Sequence, residues 1–159
     1  MRTPDRATNS LRLGHGPAVW TRIFMTSTPI TARDRVEELL ALQGAGKAAD
    51  AADLFAAEVD FHIPNSRHLP WVPQEPGSRA SMRKLFESLG SLTESRRFEV
   101  FIIVGDADNA VVLGEFTSVV LVTGRTVTSK FALWVTLHDG MITRYHLYED
   151  SFAMAQAAR

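Results

Sequence analysis

Apolar positions recur along this chain with two different periods, and the change of period divides it. From Thr31 the spacing is helical. Val36, Leu39 and Leu40 follow the capping-box pattern Thr31-Ala-Arg-Asp34, and Gly44 and Gly46 end the run. A second short helix is expected over residues 48–57, burying Leu54 and Phe55. Residues 59–63 then alternate as a strand, with Val59, Phe61 and Ile63 on one face and Asp60 and His62 on the other. Pro64, Pro70, Pro73 and Pro76 exclude regular structure from the next stretch, yet Leu69, Trp71 and Val72 are too apolar to stand in water. Ser78 opens a helix with Met82, Leu85, Phe86 and Leu89 on one stripe and Gly90 as its stop. Beyond Arg96 the period is two, with strands expected at 98–104, 110–122, 126–138 and 141–150. The turn Asp139-Gly140 is the strongest hairpin signal, and a short helix around Ser151–Ala157 closes the chain.

Helices first, then a four-stranded antiparallel meander with one early strand beside it, predict an α+β fold. Strands this long must curl, so the expected shape is a cone whose concave face the helices cover. The cone mouth is a natural small-molecule pocket. Strand edges and the apolar outer positions Val111, Leu113, Val119 and Leu121 predict a homodimer through the sheet.

Composition narrows the chemistry. At 159 residues, 45% hydrophobic and 22% charged, the chain suits one soluble globular domain. A net charge of −1 offers no basic field for nucleic acid, and no apolar run is long enough to cross a membrane. The absence of cysteine excludes disulfides, thiolate nucleophiles and cysteine zinc sites. His62 and His68 are six apart without a HExxH pattern, so no metal is expected. Gly44-Ala-Gly-Lys47 lacks the full phosphate-loop pattern and no dinucleotide or GxSxG signature occurs, so no cofactor is expected either. Arg2, Arg6, Arg12 and Arg22 stand against the single acid Asp5 in residues 1–24. That segment reads as disordered or as a spurious upstream extension, with the working domain at 25–159 and a cytoplasmic location.

Asp150, Tyr148, His146 and Arg144 alternate, so they share one strand face. Were that face to look into the cone, Asp150 would have its pKa pushed toward a useful acid/base range. The plain alternative is that Asp150 caps the last helix. His62 either transfers protons or sits solvated on the sheet exterior, and His146 poses the same choice. His68 and His138 read as surface residues. Trp71, Trp134, Phe86, Phe116 and Tyr148 either line a pocket for a flat ligand or pack the core. Trp71, in a proline-rich loop, suits a lid over the mouth.

The order helix–helix–strand–Pro-loop–helix–four strands, the strand Phe61-His-Ile-Pro64, the helix opening Gly77-Ser-Arg-Ala-Ser-Met82 and the ending Gly140-Met-Ile-Thr-Arg-Tyr-His-Leu-Tyr-Glu-Asp150 resemble one known group. They are similar to the SnoaL-like members of the nuclear-transport-factor-2-like superfamily, relatives of polyketide cyclases, ketosteroid isomerase and limonene epoxide hydrolase. The likeness spans residues 30–155. It implies the cone fold and a small-molecule site, while leaving the reaction open. The isomerase's strand-end aspartate falls on Ile63, the hydrolase's Arg-x-Asp pair on Phe116 and Ser118, and its water-holding asparagine on His62. The hydrolase's terminal aspartate is matched by Asp150.

The expected function is therefore a cofactor-independent cyclase or isomerase acting on an apolar, polyketide- or terpenoid-like metabolite. Asp150 would be the acid/base, His62 and His146 its relay partners, and Tyr148 a donor to a developing oxyanion. Ile63, Trp71, Phe86, Phe116, Ser118 and Trp134 would line the substrate site. A pericyclic variant would need cavity shape alone. A non-catalytic binding protein and an epoxide hydrolase are the alternatives.

Overall fold

The computed structural model describes residues 29–159, so the expectation for residues 1–24 lies outside it. The element order is α1 Ala32–Gly44, α2 Ala48–Asp53, β1 Phe55–His62, a single 3-10 turn at Ser66–His68, α3 Arg79–Leu92, β2 Thr93–Gly105, β3 Asn109–Val120, β4 Arg125–His138, β5 Met141–Glu149 and α4 Ser151–Ala157. The strands form one sheet in the order β1-β5-β4-β3-β2, with β1 parallel to β5 and the rest antiparallel. The sheet is curled and unclosed, in a mixed α+β arrangement, and the early strand lies beside the meander as the pattern predicts.

Local chemistry accounts for the helix starts. Thr31 and Asp34 exchange side-chain-to-backbone hydrogen bonds, as do Ser78 and Ser81, giving α1 and α3 reciprocal caps. Asp139 (φ 50°) and Gly140 (φ 74°) both adopt left-handed backbone in the β4–β5 turn, as a tight hairpin requires.

Several boundaries differ from the pattern. The second helix stops at Asp53, and β1 starts at Phe55 because that residue pairs with Ile142 of β5. Ala56 and Ala57 are strand despite their helical preference, in the stretch where the β1–β5 register shifts. α3 runs through Gly90 to Leu92, where no neighbour crowds the glycine. β2 starts at Thr93, five residues earlier than the apolar alternation suggests, because pairing with β3 holds its charged first half.

Burial separates the two sheet faces. Val127, Ser129, Phe131, Leu133, Val135 and Leu137 of β4 are buried under the helices, whereas Thr126, Thr128 and Lys130 between them are exposed. α1 packs on β2, β3 and β4, and α3 packs on β1 and β2. The core joins Val36 and Leu39 of α1, Met82, Leu85 and Phe86 of α3, and Phe55, Val112, Ile142 and Tyr145 of the sheet. The proline-rich loop adds Leu69, Trp71 and Val72 to that core. Trp71, only 3% exposed, is packed there with the helices and strands.

Candidate functional site

Strand register decides which side chains share the concave face. On β4 and β5 the residue pairs Phe131–Glu149, Leu133–Leu147 and Val135–Tyr145 lie on the helix side. The pairs Ala132–Tyr148, Trp134–His146 and Thr136–Arg144 lie on the outer side. One extra residue in β5 near Thr143 resets the alternation between Ile142 and Tyr145.

Four of the expected site residues therefore gather on the outer face. Asp60 of β1 accepts a hydrogen bond from Arg144 Nε at 2.8 Å and lies 2.9 Å from His146 Nε2. His146 and Arg144 hold the Asp60 carboxyl below the usual carboxylate range, the His146 contact contributing most. The Tyr148 hydroxyl lies 3.5 Å from His146 Nδ1. The His62 ring sits 5.5 Å from that of His146 and 5.9 Å from that of Tyr148. Trp134 joins them, with the Arg144 guanidinium 4.2 Å over its ring and its Nε1–H donating to Asn109 Oδ1. This face looks away from the helices, because β5 alternates about Tyr145 and Leu147.

Asp150 is apart from that network. It follows the end of β5, is exposed, and its carboxylate accepts the Ala153 N–H of α4 at 2.9 Å. Its own backbone N–H donates to Ser129 Oγ at 2.8 Å. The arrangement is that of a helix cap.

The expected binding residues divide in the same way. Ile63, Trp71 and Phe86 are buried in packing, Phe86 against Phe55 and Tyr145. Burial pushes the Tyr145 hydroxyl pKa up, despite a hydrogen bond from Gln43 that acts the other way. Trp134 is on the outer face. Phe116 and Ser118 lie on the concave face and are only part-buried.

Around Phe116 the concave face stays open. Phe131 stacks with Phe98 at 5.2 Å between ring centroids and meets Phe116 at 6.2 Å. Phe98 is 51% exposed and Val100 37%, far more than the sealed core beside them. Gly114 makes the shelf possible, since a Cβ there would lie 2.7 Å from the Phe131 ring. Leu147 and Glu149 continue the same surface on β5. Desolvation, with a smaller push from the neighbouring Asp150 charge, raises the Glu149 carboxyl to about 7. Glu149, Phe98 and Phe131 were not singled out by the sequence reading. The signal was the phase of Tyr145 and Leu147, which places Glu149 with the apolar residues of β5.

A second concavity, a cleft of about 980 Å³, runs along the free edge of β1 between Glu58, Asp60, Glu75, Ser78 and Lys84. Three of its charged residues are paired, Lys84 with Glu75 within the cleft and Asp60 with Arg144 outside it. Among the described residues no group of histidines and acids could hold a metal ion. No helix there is long and apolar enough to cross a membrane.

The profile of the SnoaL-like domain family matches residues 36–145. The chain belongs to this SnoaL-like family. Its fold is shared with solved structures of low sequence identity. An NTF2-like protein from Burkholderia xenovorans is 22% identical, with TM-score 0.70 over 80% of this chain and 95% of that one. An NTF2-like protein from Burkholderia thailandensis is 17% identical, with TM-score 0.67 over 82% and 98%. A SnoaL-like polyketide cyclase from Agrobacterium tumefaciens is 16% identical, with TM-score 0.63 over 80% and 97%. No curated protein matches this SnoaL-like chain.

Proposed function

We propose that this SnoaL-like protein is a cyclase or isomerase. It binds an apolar, polyketide- or terpenoid-like metabolite on the concave face and rearranges it by proton transfer or shape-directed ring closure. One observation carries the reading: the half-open aromatic shelf of Phe98, Phe116 and Phe131 on an otherwise sealed inner face. Stacked aromatic walls suit a flat unsaturated ligand, and Ser118 and Glu149 on the same face suit its oxygen atoms. A structural neighbour named as a polyketide cyclase agrees with this. Native mass spectrometry of the purified protein is the test. A retained small molecule released by Phe98→Ala supports the reading, and binding unaffected by shelf substitutions contradicts it.

A second reading is favoured by the Asp60–His146–Tyr148 chain, in which an ionised Asp60 fixes the His146 Nε2 hydrogen and leaves Nδ1 toward the Tyr148 hydroxyl. There His62, His146 and Tyr148 would transfer protons on the outer face, and His146→Asn would abolish turnover. Binding without chemistry is distinguished by a bound ligand that never turns over. Epoxide hydrolysis has less support, because Asp60 turns to the outer face. The outer positions Ile102 and Val104 of β2 and Leu113 of β3 are 48%, 48% and 40% exposed. We propose that they bury against a second copy, making a homodimer.

A further inference from the structure

We infer that Glu149 is the proton-carrying catalytic residue of the concave face, with Asp150 beside it serving as the cap of α4. The inference rests on the shelf reading above and adds the reacting group.

Geometry carries it. Glu149 pairs in register with Phe131, the central ring of the shelf, and follows Tyr145 and Leu147 on the helix side of β5. It is the carboxylate that β5 brings to the apolar face. The arginines of the sheet are engaged elsewhere, Arg96 with Glu94, Arg97 with Glu99 and Glu115, Arg125 with the Gln156 carbonyl oxygen, and Arg144 with Asp60. On this face β4 presents Val127, Ser129 and Phe131, while Lys130 lies on the opposite side. α4 turns Ser151, Met154 and Ala155 inward. Asp150 is thus the charged group acting on Glu149, and it is itself fixed to the Ala153 N–H. With a carboxyl raised to about 7, both protonation states are populated near neutrality. A group that takes and returns a proton in one turnover needs that balance.

The step balances without any co-reactant. A Glu149 carboxylate oxygen takes a proton from the carbon next to a ligand carbonyl. The C–H electron pair becomes the new C=C bond, and the carbonyl π pair moves to oxygen. The carboxylic acid then returns its proton to the same carbon or to a conjugated one, giving exchange or isomerisation. If the enolate carbon attacks a second carbonyl, a C–C bond forms and the proton goes to the new alkoxide. Glu149 ends each cycle as it began.

The probe is 2-tetralone, a flat aromatic ketone with activated protons beside its carbonyl. Its deuterium uptake in D2O is followed by proton NMR with the full-length protein, while ligand contact is read from the Leu147 methyl signals. The wild type accelerates uptake, with a single rise in rate centred near pH 7. Glu149→Gln lowers the rate by at least about 100-fold while tetralone still shifts the Leu147 methyls. Asp150→Asn retains exchange and moves the midpoint to lower pH, because the like charge is removed. Exchange that survives Glu149→Gln, exchange lost instead in Asp150→Asn, or a wild type that binds tetralone without exchange would each overturn the assignment. Tetralone that leaves the Leu147 methyls unmoved would refute the shelf reading itself, and the assignment with it.

Discussion

Removing a carboxylate from water disfavours its charged form, so Glu149 marks its own surroundings through the pH dependence of stability. Its folded pKa of about 7 lies above the ordinary 4.5. The folded state therefore holds this proton more tightly than the unfolded chain, and stability falls as pH rises from about 4.5 to about 7. Glu149→Gln removes that loss. Thermal melts should show the variant more stable than wild type by about 3 kcal/mol at about pH 8, and equal to it at about pH 4. Equal stability at both values would place Glu149 in water. Asp150 carries a different expectation. Asp150→Ala removes the acceptor for the Ala153 N–H and should cost about 1 kcal/mol in urea unfolding, whereas Asp150→Asn, also a good cap, should cost little. A large loss in Asp150→Asn would mean that its charge does more than cap.

At the scale of elements, close backbone approach and loop burial set the largest costs of substitution. A Cβ on Gly114 would lie 2.3 Å from the Glu99 carbonyl oxygen and 2.7 Å from the Phe131 ring. Gly114→Ala should therefore destabilise by about 1–3 kcal/mol in urea unfolding and weaken ligand binding on the shelf. Trp71→Ala, in the buried proline-rich loop, should cost about 3–5 kcal/mol by the same measurement, the loss expected of a core residue and far above that of a loose lid. Helix starts and hairpin turns were legible in the sequence because Thr31, Ser78 and Asp139-Gly140 carry local chemistry that needs no tertiary partner. The start of β2 was not legible, since Thr93–Arg97 are strand only because β3 pairs with them. The faces of β5 were harder still. Its alternation reads equally well with either face inward, and the extra residue near Thr143 breaks the phase that Ile142 would otherwise set. Polar His146, Tyr148 and Arg144 are the conspicuous residues of β5 in the sequence yet turn outward, while Glu149 shares the phase of its apolar residues.

Two candidate surfaces lie on opposite sides of one sheet. The concave side holds the aromatic shelf and Glu149, and the outer side holds the Asp60–Arg144–His146 network beside the apolar stripe of Ile102, Val104 and Leu113. The homodimer reading assigns the outer side to a second copy. Sedimentation at micromolar concentration should give a dimer that Leu113→Lys converts to monomer, and a monomeric wild type would contradict it. Family membership is secure from residues 36–145, and the fold follows from it, whereas the reaction depends on which side of the sheet the ligand meets. Methyl-resolved NMR during titration with 2-tetralone tests that point most directly. The account predicts shifts at Val100 and Leu147, with Val104, Val111 and Leu113 unmoved. Shifts confined to Val104, Val111 and Leu113 would place the ligand on the outer face and contradict it.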